Sequence, residues 1–213
     1  MGECYLPLNR DPDMQCGGPV RFLILHGETW RNSWHRYRRQ SVAMAIEQIK
    51  AVFIDLGDAI MIEETEIKDD EQTTLRAEIY PGMGDALRQL KEWEYLLALV
   101  ADTRPGTYRN VLRQHAIYEL FDVFAISEEL GTSKPDPRMF RFALDKLQLE
   151  PEVVAMCGNN LARDIAGANA LGMVSVWTHW NYRYPTTPRS ELEVPDYTVR
   201  SAEQLLDLFK RDS

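Results

Sequence analysis

The chain has 213 residues, 45% of them hydrophobic and 27% charged, enough for one α/β domain with a sizeable core. Its 33 acidic residues outnumber 24 basic ones, for a net charge of −9. A surface this acidic argues against nucleic acid or an anionic membrane as the main partner.

No apolar run approaches the ~20 residues of a membrane span. Met1-Gly2-Glu3-Cys4-Tyr5-Leu6 lacks a basic stretch followed by an apolar one, and Leu6 stands where a myristoylation signal needs Ser or Thr. The sparse cysteines Cys4, Cys16 and Cys157 suit reduced thiols. The expected setting is cytoplasmic.

Residues 1–19, rich in Pro, Gly, Asp and Asn, read as a disordered tail, and residues 20–49 as an N-terminal helical extension. Val20–Leu25 suits a short strand. Trp30, Trp34, Tyr37, Ser41 and Met44 then recur at helical spacing, with basic residues opposite. That pattern fits an aromatic stripe packed on a core, or a phosphate-binding patch with stacking rings.

Residues 50–213 read as the core domain. Ala51–Ile54 is a short apolar run of the kind found in a strand buried on both faces of a parallel sheet. Asp55 ends the run and Gly57 breaks it. Ligands of open α/β sheets bind beyond the carboxyl ends of the strands, so Asp55 is placed either for chemistry or simply to cap the next turn. Ile60–Ile67 and Thr73–Tyr80 alternate partly around Lys68-Asp69-Asp70-Glu71, predicting a β-hairpin with an acidic tip.

A helix is expected over 82–92, then a second buried strand at Tyr95–Val100. Thr103-Arg104-Pro105 opens another helix, and Asp122–Ile126 is a third strand. Asp136-Pro137 caps a helix running to about Leu147. Val153–Cys157 is a fourth strand, and Asn160–Leu171 a helix ended by Gly172. Val174–Trp177 is a fifth strand. A long loop over 178–195 carries Trp180, Tyr182 and Tyr184, and Ser201-Ala202-Glu203-Gln204 is a capping box. Strands alternating with helices predict an α/β three-layer sandwich on a parallel sheet.

Asp55, Lys134 and Asp164 all fall in loops after strands or at helix starts. In a parallel sheet such loops share one edge. Carboxylates, an amide and a lysine brought together there suit a hard cation and a phosphate. Taken singly, Lys134 reads equally as a solvated loop lysine and Asp164 as an acid facing a helix dipole.

The order of these stretches resembles the haloacid dehalogenase-like superfamily. The residues carrying the resemblance are Phe53-Ile54-Asp55-Leu56-Gly57-Asp58-Ala59, Leu97-Ala98-Leu99-Val100-Ala101-Asp102-Thr103, Ser133-Lys134-Pro135-Asp136-Pro137, and Gly158-Asn159-Asn160 through Asp164 to Gly172-Met173. The resemblance covers about residues 50–178. It implies a Rossmann-like core with five parallel strands, the Ala51 strand central, and a short flap hairpin. It also implies a Mg²⁺-dependent phosphatase working through an aspartyl-phosphate on Asp55. Lys134 and Thr103 would contact the phosphate, and Asp55, the Gly57 backbone carbonyl, Asn159 and Asp164 would hold the metal.

This chain departs from the family pattern. The family's general acid, two residues after the nucleophile, is replaced by Gly57, with Asp58 displaced by one position. Ala101 stands where a phosphate-binding Ser or Thr is expected, and Asn159 replaces a metal carboxylate. Loss of a general acid costs ~10²–10⁴ in rate. Only residues 57–81 lie between the first motif and the next helix, too few for a helical cap. An open site suits a phosphorylated small molecule or protein, or cover from a second copy in a homo-oligomer. The alternative is a degenerate homologue that binds a phosphorylated ligand or partner without turnover. Dehalogenases also carry a non-acid at the Gly57 position, but without a cap the apolar enclosure for a small halo-acid is missing.

Overall fold

The structure, a computed structural model, describes residues 46–210, all within one unit of the chain, Tyr37–Ser213. The expected tail, the Val20–Leu25 strand and the aromatic helix lie outside the described residues.

Strand β1 (Ala51–Ile54) is fully buried along its length. Its side chains alternate between faces: Val52 and Ile54 join one apolar cluster, Ala51 and Phe53 the other. The hairpin β2 (Ile67–Lys68) and β3 (Thr74–Arg76) follows, then α1 (Met83–Glu92) and β4 (Leu96–Ala101). Next come α2 (Pro105–Gln114), β5 (Val123–Ile126), α3 (Ser127–Leu130) and α4 (Pro137–Leu147). The chain continues through β6 (Val154–Gly158), α5 (Ala166–Leu171), β7 (Val174–Thr178), β8 (Tyr197–Val199) and α6 (Ala202–Phe209).

The main sheet has six strands in the order β5-β4-β1-β6-β7-β8, paired in parallel throughout. Helices α1, α2 and α6 cover one face with Leu87, Leu90, Val111, Leu112, Leu205 and Phe209. Helix α4 and the start of α5 cover the other with Met139, Phe140, Ala143 and Ala168. This is the expected three-layer sandwich with β1 central.

The expected count of five strands is corrected to six. Strand β8 extends the β7 edge, bonded by His179 N to Val199 O (2.9 Å) and Asp196 N to Ser175 O (3.1 Å). It is three residues long with Thr198 exposed, so it leaves no apolar run to read.

The hairpin ladder is shorter than expected because Glu63–Thr65 curl into a 3₁₀ turn. Beyond it, antiparallel bonds persist from Ile62 N to Glu78 O (2.8 Å) and from Tyr80 N to Ile60 O (2.9 Å). Helix α2 pins the flap: Thr107 Oγ1 accepts from Thr74 N at 3.0 Å, and Asn110 Nδ2 donates to Thr74 O at 2.9 Å. No helix among the described residues is long and apolar enough to cross a membrane.

Candidate active site

Asp55 is the first residue beyond β1, and its amide donates to Cys157 O at 3.0 Å, so the central strand fixes its backbone. Lys134 enters from the loop before α4. Its amide donates to Asp102 Oδ1 (3.0 Å) just past β4, and the Asp136 cap, accepting from Arg138 N at 2.9 Å, starts the helix two residues on. The Lys134 ammonium donates to Asp55 Oδ1 at 2.7 Å and Val100 O at 2.9 Å, and pairs with Asp164 Oδ1 at 2.7 Å.

Asp164 sits in one turn of π-helix, Leu161–Ile165, rather than the regular α-helix expected from Asn160. Asn160 caps that turn, accepting from Ala162 N (3.1 Å) and Arg163 N (3.2 Å), while its own amide donates to Asp164 Oδ2 at 2.9 Å. Single π-turns often mark functional sites because they redirect one side chain. The Asp164 carboxylate lies against Gly158, where an added Cβ would meet its Cγ at 2.3 Å, so only glycine fits there.

The charges follow from this burial. Desolvation lifts the Asp55 carboxyl from 3.8 to about 7, opposed by the Lys134 ammonium and assisted by Asp164. Burial alone would lower Lys134, yet Asp164, Asp55 and Asp102 together hold it well above its ordinary value. Lys134 therefore stays charged, and burial raises Asp55 against the pull of that charge.

Asn159 is almost buried. Its carbonyl accepts from Trp177 Nε1 at 2.9 Å, and its side-chain nitrogen has no hydrogen-bond partner. Asp55, Gly57, Lys134, Asn159 and Asp164 line one small polar cleft together with Glu63, Asp102, Asn160, Arg163 and Tyr184. Thr103 lies apart. It lines an adjoining polar cavity of about 340 Å³ between the flap and the start of α2, which shares Gly57, Glu63 and Asp102 with the cleft.

Asp58 faces away from this cleft, at a φ of 50° and almost wholly buried. It accepts from Glu63 N (3.1 Å) and Tyr80 Oη (3.4 Å), and pairs with Arg183 Nε at 2.7 Å. Arg183 also bonds Glu63 Oε2. Burial and the nearby Asp58 raise the Glu63 carboxyl, with Arg183 pulling the other way.

The aromatic loop divides its rings. Trp180 tucks against Tyr80 (5.4 Å) and donates to Asp58 O at 3.0 Å, Tyr184 lines the cleft, and Tyr182 is exposed. Sequence reading missed Glu63, Arg183 and Asp102. Asp102 was signalled by its place after a buried strand, whereas Glu63 and Arg183 carry no local signal.

The structure thus places a Lys-centred carboxylate cluster at the carboxyl edge of a parallel sheet. A model of haloacid dehalogenase-like hydrolases matches residues 21–172, and the chain belongs to that family. The match starts well before residue 50, where the sequence resemblance began. The chain is 33% identical over 131 residues to a glyceraldehyde 3-phosphate phosphatase of Methanopyrus kandleri, covering 62% of this chain and 56% of that protein. It is 34% identical over 124 residues to a phosphoserine phosphatase of Thermus thermophilus, covering 58% of this chain and 48% of that one. The alignments thus span about half the length of these curated relatives. The solved HAD phosphatase from Thermococcus onnurineus superposes with a TM-score of 0.62 at 21% identity, covering 75% of this chain and 97% of that one. That likeness is one of fold.

Proposed function

We propose that this chain is a phosphomonoester hydrolase in which Asp55 attacks phosphorus. The observation that carries this reading is the convergence of Asp55, Lys134 and Asp164 through 2.7 Å contacts at the carboxyl edge of the sheet. Relatives named as phosphatases support it. Lys134 holds Asp55 Oδ1, orients the carboxylate and offers a fixed positive charge to the phosphoryl group. The ester bond breaks as the aspartyl-phosphate forms, and water then hydrolyses that intermediate.

The residues present fit a hard cation. Among the described residues no group of three or more His, Cys, Asp or Glu is arranged to hold a metal. The cleft offers two carboxylates, Asp55 and Asp164, and the side-chain oxygen of Asn159; the unpartnered nitrogen of that amide is a donor and binds no cation. With the Gly57 carbonyl these oxygens would hold Mg²⁺, which keeps several waters and takes few protein ligands plus substrate phosphate. When bound, it supplies neutralisation of phosphate charge beside Asp55. The neutral amide at position 159 makes its affinity lower than that of a three-carboxylate site.

The small cleft suits the phosphoryl group and the adjoining cavity the rest of the substrate, a phosphorylated small molecule or protein side chain. The test is turnover of a panel of phosphate esters with and without Mg²⁺, in wild type and Asp55→Asn. Mg²⁺-dependent release of phosphate by the wild type alone is the expected result. Ester binding without turnover would favour a binding-only homologue.

A further inference from the structure

We propose that Glu63 is the general acid and base of this site, supplying from a neighbouring turn the carboxylate that position 57 lacks; the inference rests on the phosphatase reading above. A Cβ built on Gly57 would lie 2.0 Å from Glu63 Oε1 and 3.0 Å from its Cδ. The Glu63 carboxylate therefore fills the volume into which a side chain at position 57 would grow. It lines the same cleft as Asp55, Lys134 and Asp164, and also the larger cavity next to it. In this reading the leaving oxygen of a phosphoryl group on Asp55 sits at that boundary.

The placement is built. Glu63 starts the short 3₁₀ turn, and its amide donates to Asp58 Oδ1 at 3.1 Å. Arg183 bonds Glu63 Oε2 through one nitrogen and Asp58 Oδ2 through another, at 2.7 Å for the latter. Backbone and side chain of Glu63 are thus tied to one buried acid, with Oε1 turned toward Gly57. The Glu63 side chain is 25% exposed, enough to exchange its proton with solvent. Asp58, the neighbour in sequence, is 2% exposed and committed to Glu63 N, Tyr80 and Arg183, so it does not serve.

In the first step an Asp55 oxygen bonds to phosphorus and the phosphorus–ester oxygen bond breaks. The proton on Glu63 Oε1 moves to the departing oxygen, which leaves as an alcohol. In the second, the Glu63 carboxylate takes a proton from water as its oxygen bonds to phosphorus. The bond from phosphorus to Asp55 breaks, freeing phosphate and returning both carboxyl groups to their starting forms.

The test compares an aryl and an alkyl phosphate in wild type, Glu63→Gln, Glu63→Ala and Glu63→Ala/Gly57→Asp, with thermal melts to confirm folding. An aryl oxide leaves without a proton, whereas an alkoxide needs one. Glu63→Gln should lower kcat/KM on the alkyl ester by ~10²–10⁴ and on the aryl ester by no more than about tenfold. It should also accumulate phosphoenzyme with the aryl ester, because hydrolysis then lacks its base. Glu63→Ala/Gly57→Asp should recover alkyl-ester turnover lost in Glu63→Ala, because truncation clears the space for an acid at position 57. Equal losses on both esters in Glu63→Gln, without phosphoenzyme accumulation, would overturn the role of Glu63 alone. A wild type that hydrolyses neither ester would overturn both this role and the phosphatase reading beneath it.

Discussion

Lys134 is held by the buried Asp164, the partly exposed Asp55 and a strand carbonyl, and its fixed charge opposes the rise of Asp55. The Asp55 carboxyl still rises to about 7, because burial outweighs the ammonium beside it. Between pH 3.8 and about 7 the folded protein keeps a proton there that the unfolded chain has lost. Stability therefore falls as pH rises through that window and levels off above it. Asp55→Asn removes this dependence. In metal-free protein the stability of Asp55→Asn relative to wild type should grow from pH 4 to pH 8, read from urea midpoints. A difference independent of pH would mean that Lys134 already keeps Asp55 ionised. At this scale much was legible in the sequence. Asp55, Lys134 and Asp164 sit at strand ends and helix starts, and one face of a parallel sheet brings such positions together. The one-residue displacement of Asp58 was legible and implies a different side-chain direction; the positive φ that carries it was not.

The elements that carry the site are short and irregular, and there the sequence was least informative. The π-turn at Leu161–Ile165 lies inside a stretch whose composition reads as ordinary helix, and the closed space beside Gly158 sets its geometry. The 3₁₀ turn at Glu63–Thr65 interrupts what alternation presents as a strand. Glu63 was invisible as a site residue because it fills another residue's space, which only tertiary packing reveals. Arg183, Asp58 and Glu63 join the long loop after β7 to this turn. Asp58→Ala removes the buried acceptor of Glu63 N and the partner of Arg183. It should destabilise the protein by ~1–3 kcal/mol in urea unfolding. It should also lower turnover, because the turn carrying Glu63 loses its anchor. A stable Asp58→Ala variant with unchanged turnover would show that the clamp does not position Glu63.

On the scale of the molecule, the sheet order follows from strand composition and family resemblance together. Apolar runs at 51–54 and 96–101 require burial on both faces, and both segments lie inside the sheet. The added edge strand β8 lacked such a run and depends on pairing with β7. The flap is short and pinned to α2, and the cleft holding Asp55 adjoins the larger polar cavity. Glu66, Lys68, Arg104 and their neighbours line that cavity. In the proposed reaction the phosphoryl chemistry belongs to Asp55 and Lys134. The most direct measurement is mass-spectrometric mapping of the phosphoryl group after incubation with acetyl phosphate and Mg²⁺ and an acid quench. A phosphoryl adduct on the peptide containing Asp55, absent from Asp55→Asn, is the predicted result. Turnover of phosphate esters that proceeds in Asp55→Asn, or with no adduct on Asp55 in any variant, would contradict nucleophilic attack by this residue.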